Sequence, residues 1–215
     1  LGVGYLHSRG LIHRDLKPDN IFFTENEEVR IGDFGFSAEY DVSKDEDGNS
    51  CSKGVQYAAC GTLQYNAPEL FLKVPVVGPE LDVWSLGVIL FGMISKQYPF
   101  WGNTNSESIY ATCFDTLNID ILDNFFVSKH LKHFISIMLI KNPKKRATIQ
   151  QLKQHPWIKH EIKKHLNKQR NSLLINLKTA YKAEVNLHQP LNATSSDSNE
   201  QDGATISNTD DKNNF

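Results

Sequence analysis

The run from Leu81 to Ile94 (Leu-Asp-Val-Trp-Ser-Leu-Gly-Val-Ile-Leu-Phe-Gly-Met-Ile) is apolar on nearly every side when wound as a helix. Such a helix has no face to give to solvent, so the rest of the fold must surround it. Asp82 falls in its first turn, where a carboxylate suits the positive end of the helix. Its richest apolar part, Leu86 to Ile94, is about half the length that crosses a bilayer, so the run belongs to a protein core and no membrane span is expected. Leu131 to Ile140 and Ile149 to Trp157 repeat apolar residues at helical spacing, with Pro143 between them. Ile21-Phe22-Phe23-Thr24 and Val29-Arg30-Ile31 flank the polar turn Glu25 to Glu28 and predict a small hairpin. The expected fold is mainly helical with that one hairpin.

Charge and cysteines narrow the setting. A formal net charge of −2 gives no field that would drive the chain onto nucleic acid or an anionic membrane. Cys51, Cys60 and Cys113 are too few and too irregular for a disulfide framework or a zinc site, and read as reduced thiols in the cytoplasm or nucleus. Composition divides the chain into a mixed, core-forming part over 1–158, a basic part over 159–187 and a polar tail over 188–215. Over 159–182 that basic part sets Lys159, Lys163, Lys164, Lys168, Arg170, Lys178 and Lys182 against the single acid Glu161. The tail, rich in Asn, Ser, Thr and Asp, cannot bury enough apolar surface to offset the entropy of ordering, and disorder is expected there.

Three short motifs carry the chemistry: His13-Arg14-Asp15-Leu16-Lys17-Pro18-Asp19-Asn20, then Asp33-Phe34-Gly35, then Ala67-Pro68-Glu69. Their order and spacing, with the hairpin between the first two, resemble the catalytic loop, magnesium loop and end of the activation segment of eukaryotic protein kinases. Lys17-Pro18 and Gly61-Thr62-Leu63-Gln64-Tyr65 resemble the serine/threonine rather than the tyrosine branch. The resemblance covers residues 1 to about 158 and implies the large C-terminal lobe of the kinase fold, with ATP and Mg2+ as cofactors and proteins as substrates. It implies that Asp15 orients the incoming hydroxyl and accepts its proton, that Lys17 sets a compact cation against the transferring phosphoryl group, and that Thr62 bridges the two. Asn20 and Asp33 would give Mg2+ its protein oxygens, in keeping with that ion's preference for a few hard ligands beside the nucleotide phosphates. Gly35 fits the tight turn after Phe34. His13, Arg14, Phe34 and Asp82 complete the surrounding frame, and Glu69 is expected to pair with Arg146 in Asn142-Pro143-Lys144-Lys145-Arg146.

Finer wording resembles the calcium/calmodulin-dependent-kinase-like group: Asp33-Phe34-Gly35-Phe36-Ser37, the stretch ending in Arg146, and His155-Pro156-Trp157-Ile158. In that family Phe36 goes with serine preference, and an acid at the Asp19 position receives a basic residue upstream of the target. Ile158, Ile162, Leu166, Leu173, Leu174, Leu177, Tyr181 and Val185 follow helical spacing with a slip after Leu166. With the lysines they make a basic amphipathic helix over 159–187, open to calmodulin, to an autoinhibitory contact, or to plain packing on the lobe.

The sequence also departs from the family. The glycine-rich loop, the strand lysine and its glutamate partner have no counterpart downstream of Leu1, so the chain reads as a fragment without its N-terminal β lobe, inactive by itself. A non-catalytic truncated kinase or pseudokinase acting as an interaction module is the competing reading. The segment Asp33 to Glu69 is long, and its polar middle, Asp41 to Lys53, is expected to be mobile. Arg14 beside Asp15 marks the type ordered by an activation-loop phosphate. The usual acceptor position holds Ala58, leaving Ser50, Ser52 or Tyr57, or an activation that needs no phosphate.

Overall fold

A computed structural model of the chain describes residues 2–44, 50–53, 55–56, 60–74 and 76–187. In chain order its elements are α1 (Gly2–Ser8), β1 (Leu11–Ile12), β2 (Ile21–Phe23), β3 (Val29–Ile31), β4 (Ala38–Glu39), β5 (Asp41–Lys44), β6 (Ser50–Lys53), β7 (Val55–Gln56), α2 (Pro68–Phe71), β8 (Val76–Val77), α3 (Glu80–Ser95), α4 (Asn105–Phe114), α5 (Lys129–Met138), α6 (Ile149–Gln154) and α7 (Pro156–Leu187). The chain divides into two units, one ending at Leu166 and one beginning at Asn167. The first holds the fold proper.

α3 is the expected all-round apolar helix, and each of its faces feeds a different core. Leu81, Trp84, Val88 and Phe91 pack with Ile12, Leu122 and Ile135. Val83 packs with Phe134, Met138 and Leu152, and Ile89 with Val3 and Leu16 under the loop that follows β1. At about 1.5–3 kcal/mol for each large side chain taken from water, α3 is the fold's main apolar contribution. Its tightest contact is at Gly87, where a Cβ would sit 2.9 Å from Leu139 Cδ2 and 3.0 Å from Met138 Cβ. Gly87→Ala forces α5 outward, and the expected loss is about 1–3 kcal/mol despite alanine's better helix propensity. Urea denaturation of the variant measures it.

Beside the expected hairpin, β2 with β3 in the register Ile21↔Ile31, three more antiparallel two-stranded ladders occur among the described residues. β1 pairs β4, β5 pairs β6 and β7 pairs β8. Within the stretch Asp41 to Lys53, expected to be mobile, the described residues form the paired strands β5 and β6 in the register Asp41↔Lys53 and Lys44↔Ser50, and residues 45–49 lie outside the described residues. Helix α5 starts two residues before its expected run, capped by Ser128, whose side chain accepts the Leu131 N–H.

Helical spacing suggested one helix from Ile149 through Trp157. The chain instead breaks at His155, which has φ −63° and ψ 140°. Pro156 is the cause, since its ring disfavours the helical region for the residue before it and suits the first turn of the next helix. α7 then runs to Leu187 with Ile162 and Leu166 exposed. In the second unit Lys168, Arg170 and Lys178 are exposed. Tyr57, Ala58 and the tail 188–215 lie outside the described residues, as do the side chains of Ser50, Ser52, Leu173, Leu174, Leu177, Tyr181 and Val185.

Candidate active site

The chain between β1 and β2 has no partner strand, so its polar backbone must be held by side chains. Asp82, fully buried near the start of α3, does this. Its Oδ1 accepts the Arg14 N–H at 2.9 Å and its Oδ2 the His13 N–H at 2.9 Å. His7 Nε2 lies 2.8 Å from the same Oδ2. Arg14 adopts the left-handed region at φ 67°, which costs a non-glycine residue on the order of 1–3 kcal/mol and persists only when its surroundings dictate it. The two-oxygen grip of Asp82 is that constraint.

His13 fixes the loop to the hairpin. It is fully buried; its Nδ1 accepts the Asp15 N–H at 3.3 Å, so Nε2 carries the hydrogen and donates to the Gly32 carbonyl at 3.0 Å. Phe34 covers the imidazole, ring centroids 5.0 Å apart. From this side the Asn20 carbonyl accepts the Gly32 N–H at 3.0 Å, which brings the Asp33 turn beside the 3-10 turn Pro18–Asn20.

Asp15, 2% exposed, is the centre of the polar cluster. Lys17 Nζ donates to its Oδ2 at 2.9 Å, Thr62 Oγ1 donates to its Oδ1 at 2.8 Å, and Lys17 also donates to Thr62 Oγ1 at 3.0 Å, closing a triangle. Asn20 Nδ2 donates to the Asp15 carbonyl at 2.8 Å and to Oδ2 at 3.3 Å. Burial raises the Asp15 carboxyl, but the hydrogen bonds from Lys17, Thr62 and Asn20 and the Lys17 charge outweigh it and hold Asp15 below its ordinary 3.8. Lys17 moves up in turn, through its hydrogen bond to Asp15 and the charges of Asp15, Asp19 and Asp33. Thr62 reaches this position because Gly61 takes φ 84°, where an added Cβ would lie 2.7 Å from both the Arg14 carbonyl oxygen and Asn66 Oδ1.

Asp33 also takes the left-handed region, at φ 58°, and its side chain is exposed, with Oδ1 accepting the Gly35 N–H at 3.3 Å. A Cβ at Gly35 would meet that oxygen at 3.2 Å. Arg14 Nε donates to the Phe36 carbonyl at 2.6 Å, tying the loop to the residue after the Asp33 turn. Asp19 and the Phe36 ring are both exposed. Glu69 and Arg146 form a buried pair, NH1–Oε1 2.6 Å and NH2–Oε2 2.8 Å. Asp15, Lys17, Asn20 and Thr62 are thus in mutual contact, His13, Arg14 and Asp33 adjoin them through the backbone, and Glu69–Arg146 stands apart as an anchor.

Two positions, His7 and Ser85, escaped the sequence reading, and a third, Asp82, was named without its hydrogen-bond partners. The helix-dipole argument located Asp82 correctly but not its grip on the loop backbone; a carboxylate between Leu81 and Val83-Trp84 in an otherwise apolar run was the available signal. His7 gave no signal of its own. Ser85, whose Oγ donates to the Tyr65 carbonyl at 2.8 Å, was the other polar residue in the same apolar run.

The family model for the protein kinase domain matches residues 1–158. Sperm motility kinase Z of Mus musculus is 36% identical over 156 residues, 73% of this chain and 29% of that protein. The SNF-related serine/threonine-protein kinase of Homo sapiens is 36% identical over 159 residues, 73% of this chain and 19% of that protein. The probable serine/threonine-protein kinase MARK-C of Dictyostelium discoideum is 34% identical over 155 residues, 72% of this chain and 18% of that protein. The chain spans less than a third of the length of these relatives. A buried aspartate bridged to a lysine and a threonine, set on a helical lobe that the family model matches from end to end, leads to one assignment: the chain belongs to the protein kinase family.

Proposed function

We propose that this chain forms the large lobe of a serine/threonine protein kinase, which transfers the γ-phosphoryl group of ATP to serine or threonine hydroxyls of protein substrates. The observation that carries the proposal is the closed triangle of Asp15, Lys17 and Thr62. Phosphoryl transfer through a loose transition state asks for position and charge more than for a strong base. Asp15, held below the usual carboxylate range, is a weak base whose uses are to orient a hydroxyl and to accept its proton late in transfer. Lys17, 22% exposed, remains open to an anionic group on the side away from Asp15.

The donor set fits Mg2+. Asn20 spends its Nδ2 on Asp15 and leaves Oδ1 uncommitted among the described residues, while Asp33 keeps Oδ2 free on an exposed side chain. An amide oxygen and a carboxylate are hard ligands of the type that ion takes together with phosphates. Bound there, Mg2+ would neutralise phosphate charge. Asn20 and Asp33 hold the ligand oxygens in place from two turns that share the Asn20–Gly32 hydrogen bond.

Within the family we place the chain in the calcium/calmodulin-dependent-kinase-like group on the wording around Phe36, Arg146 and Trp157. Serine preference follows from Phe36, upstream basic preference from Asp19, and α7 is the candidate calmodulin or autoinhibitory segment. The experiment is phosphorylation of a degenerate serine, threonine and tyrosine peptide library by the full-length protein with ATP, with and without Mg2+. Transfer to serine, favoured by an upstream arginine and lost without the divalent ion, is expected. Transfer to tyrosine, or none with Mg2+ and ATP present, overturns the assignment.

A further inference from the structure

Helices α6 and α7 meet at a single residue, His155, which is 8% exposed. Its Nδ1 accepts the Trp157 N–H at 3.2 Å, so the imidazole caps the first turn of α7 as a serine or aspartate caps other helices. Its Nε2 lies 2.9 Å from Nδ1 of the exposed His133 on α5, with the two rings stacked at 5.2 Å between centroids. Phe134 packs on His155 at 5.1 Å and on Trp157 at 4.8 Å, which ties the pair to the core of Val83, Met138 and Leu152.

An imidazole nitrogen either carries a hydrogen and donates or is bare and accepts. The Trp157 N–H requires Nδ1 of His155 to be bare, so the hydrogen sits on Nε2 and donates to a bare His133 Nδ1. Two neutral rings are the one proton arrangement that satisfies both contacts. A proton added to His155 sets two donors face to face at Trp157, and one added to His133 does the same between the rings. Charge on His155 would also meet the positive end of α7.

We propose that His133 and His155 form a proton-operated latch on α7. While both are neutral the first turn is capped and Trp157 stays against the core. One added proton exchanges a hydrogen bond for a repulsion and loosens that turn. The surroundings favour the neutral pair: burial first, then the charges that His133 and His130 can take, one turn apart on α5, make His155 titrate below its ordinary 6.5. From the other two elements, Lys153 of α6 turns its ammonium toward Gly4 of α1, and Lys159 of α7 meets the His155 carbonyl through its backbone N–H at 3.1 Å. No carboxylate pairs with either ring among the described residues. At His155 the folded state thus binds fewer protons than the unfolded one. The stabilisation by the latch is complete above the ordinary histidine value and is lost as pH falls from 6.5 through the lowered one. α7 is the candidate regulatory segment, and its first turn is what acid sets free. None of the residues around Asp15 takes part, so the latch stands or falls apart from the kinase assignment.

Amide hydrogen exchange of the full-length protein at about pH 7.5 and about pH 5.5, corrected for the intrinsic pH dependence of exchange, tests it. The Trp157 and Lys159 amides both donate to His155. Relative to amides in the middle of α3, they are expected to lose about tenfold in protection at the lower pH, the fold-change of one lost helix cap. In His155→Asn the amide oxygen takes the place of Nδ1, so the cap remains and the acid loss disappears. Imidazole nitrogen NMR shifts of the unmodified protein give a second reading, independent of any variant: at the higher pH His155 carries its hydrogen on Nε2. Three results would each overturn the proposal: equal protection at the two pH values, the same acid loss in His155→Asn, or a hydrogen on Nδ1 of His155 at the higher pH.

Discussion

Asp15→Asn in the full-length protein lowers the rate of phosphoryl transfer by about 10²–10⁴-fold while the fold stays intact. The geometry explains why the two effects separate. With its oxygen turned toward Lys17 and Asn20, the new amide still accepts from both, and its NH2 donates to Thr62 Oγ1, which at present donates to Asp15. A threonine hydroxyl can reverse that role. The hydrogen bonds that hold the loop therefore survive, and the lost functions are the negative charge against an incoming hydroxyl and the capacity to take its proton. Lys17→Ala and Thr62→Val should each remove part of the same machinery, and the double variant should lose less than the product of the two, because groups that act as a unit are not additive. Single-turnover phosphorylation with MgATP gives the rates, and a urea transition within about 1 kcal/mol of the parent confirms that the protein remains folded. A loss below tenfold in Asp15→Asn would mean that the carboxylate is a loop anchor and nothing more.

What could be read from the sequence was what is local in the chain. His13 to Asn20 and Asp33 to Phe36 are short contiguous stretches, and each holds several of the groups that meet around Asp15, so their order alone suggested a site. α3 was legible for another reason: a helix apolar on all sides leaves only one arrangement, burial in the centre, and all three cores draw on it. The grip of Asp82 on His13 and Arg14 joins residues about seventy apart, and no periodicity marks such a contact. β1 and β4 have two residues each, too few for alternation to register, yet their pairing sets the loop beside the Asp33 turn. At Gly61 the reason for glycine lies in two atoms that reach it from elsewhere in the fold, the Arg14 carbonyl oxygen and Asn66 Oδ1. The break at His155 shows the reverse case, in which the signal at Pro156 was present and apolar spacing was given more weight than it could bear.

Arg146→Ala is expected to cost about 3–5 kcal/mol, a large part of the stability of any domain this size. Both partners of the Glu69 pair are buried, at 3% exposure each, so neither can turn to water when the other is removed. All five N–H groups of Arg146 are in use: two on the Glu69 carboxylate, and the others on the carbonyls of Ile140 at 2.9 Å, Glu80 at 2.8 Å and Lys141 at 3.2 Å. Its guanidinium also lies over the Trp84 ring, 5.0 Å from the centroid. Truncation thus leaves a buried carboxylate unpaired and three carbonyls without a donor, in the place where the chain after α5 is fastened to α2 and to the start of α3. Arg146→Lys should recover little, because a compact ammonium cannot reach acceptors spread over a planar fork. Glu69→Ala should cost a similar amount for the complementary reason, a buried guanidinium with no counter-charge. The double variant Glu69→Met with Arg146→Met should cost less than either single truncation, since removing both charges also removes their desolvation. The urea midpoint at constant slope measures each variant. Single losses under about 1 kcal/mol would place the pair with exposed surface bridges and contradict its burial.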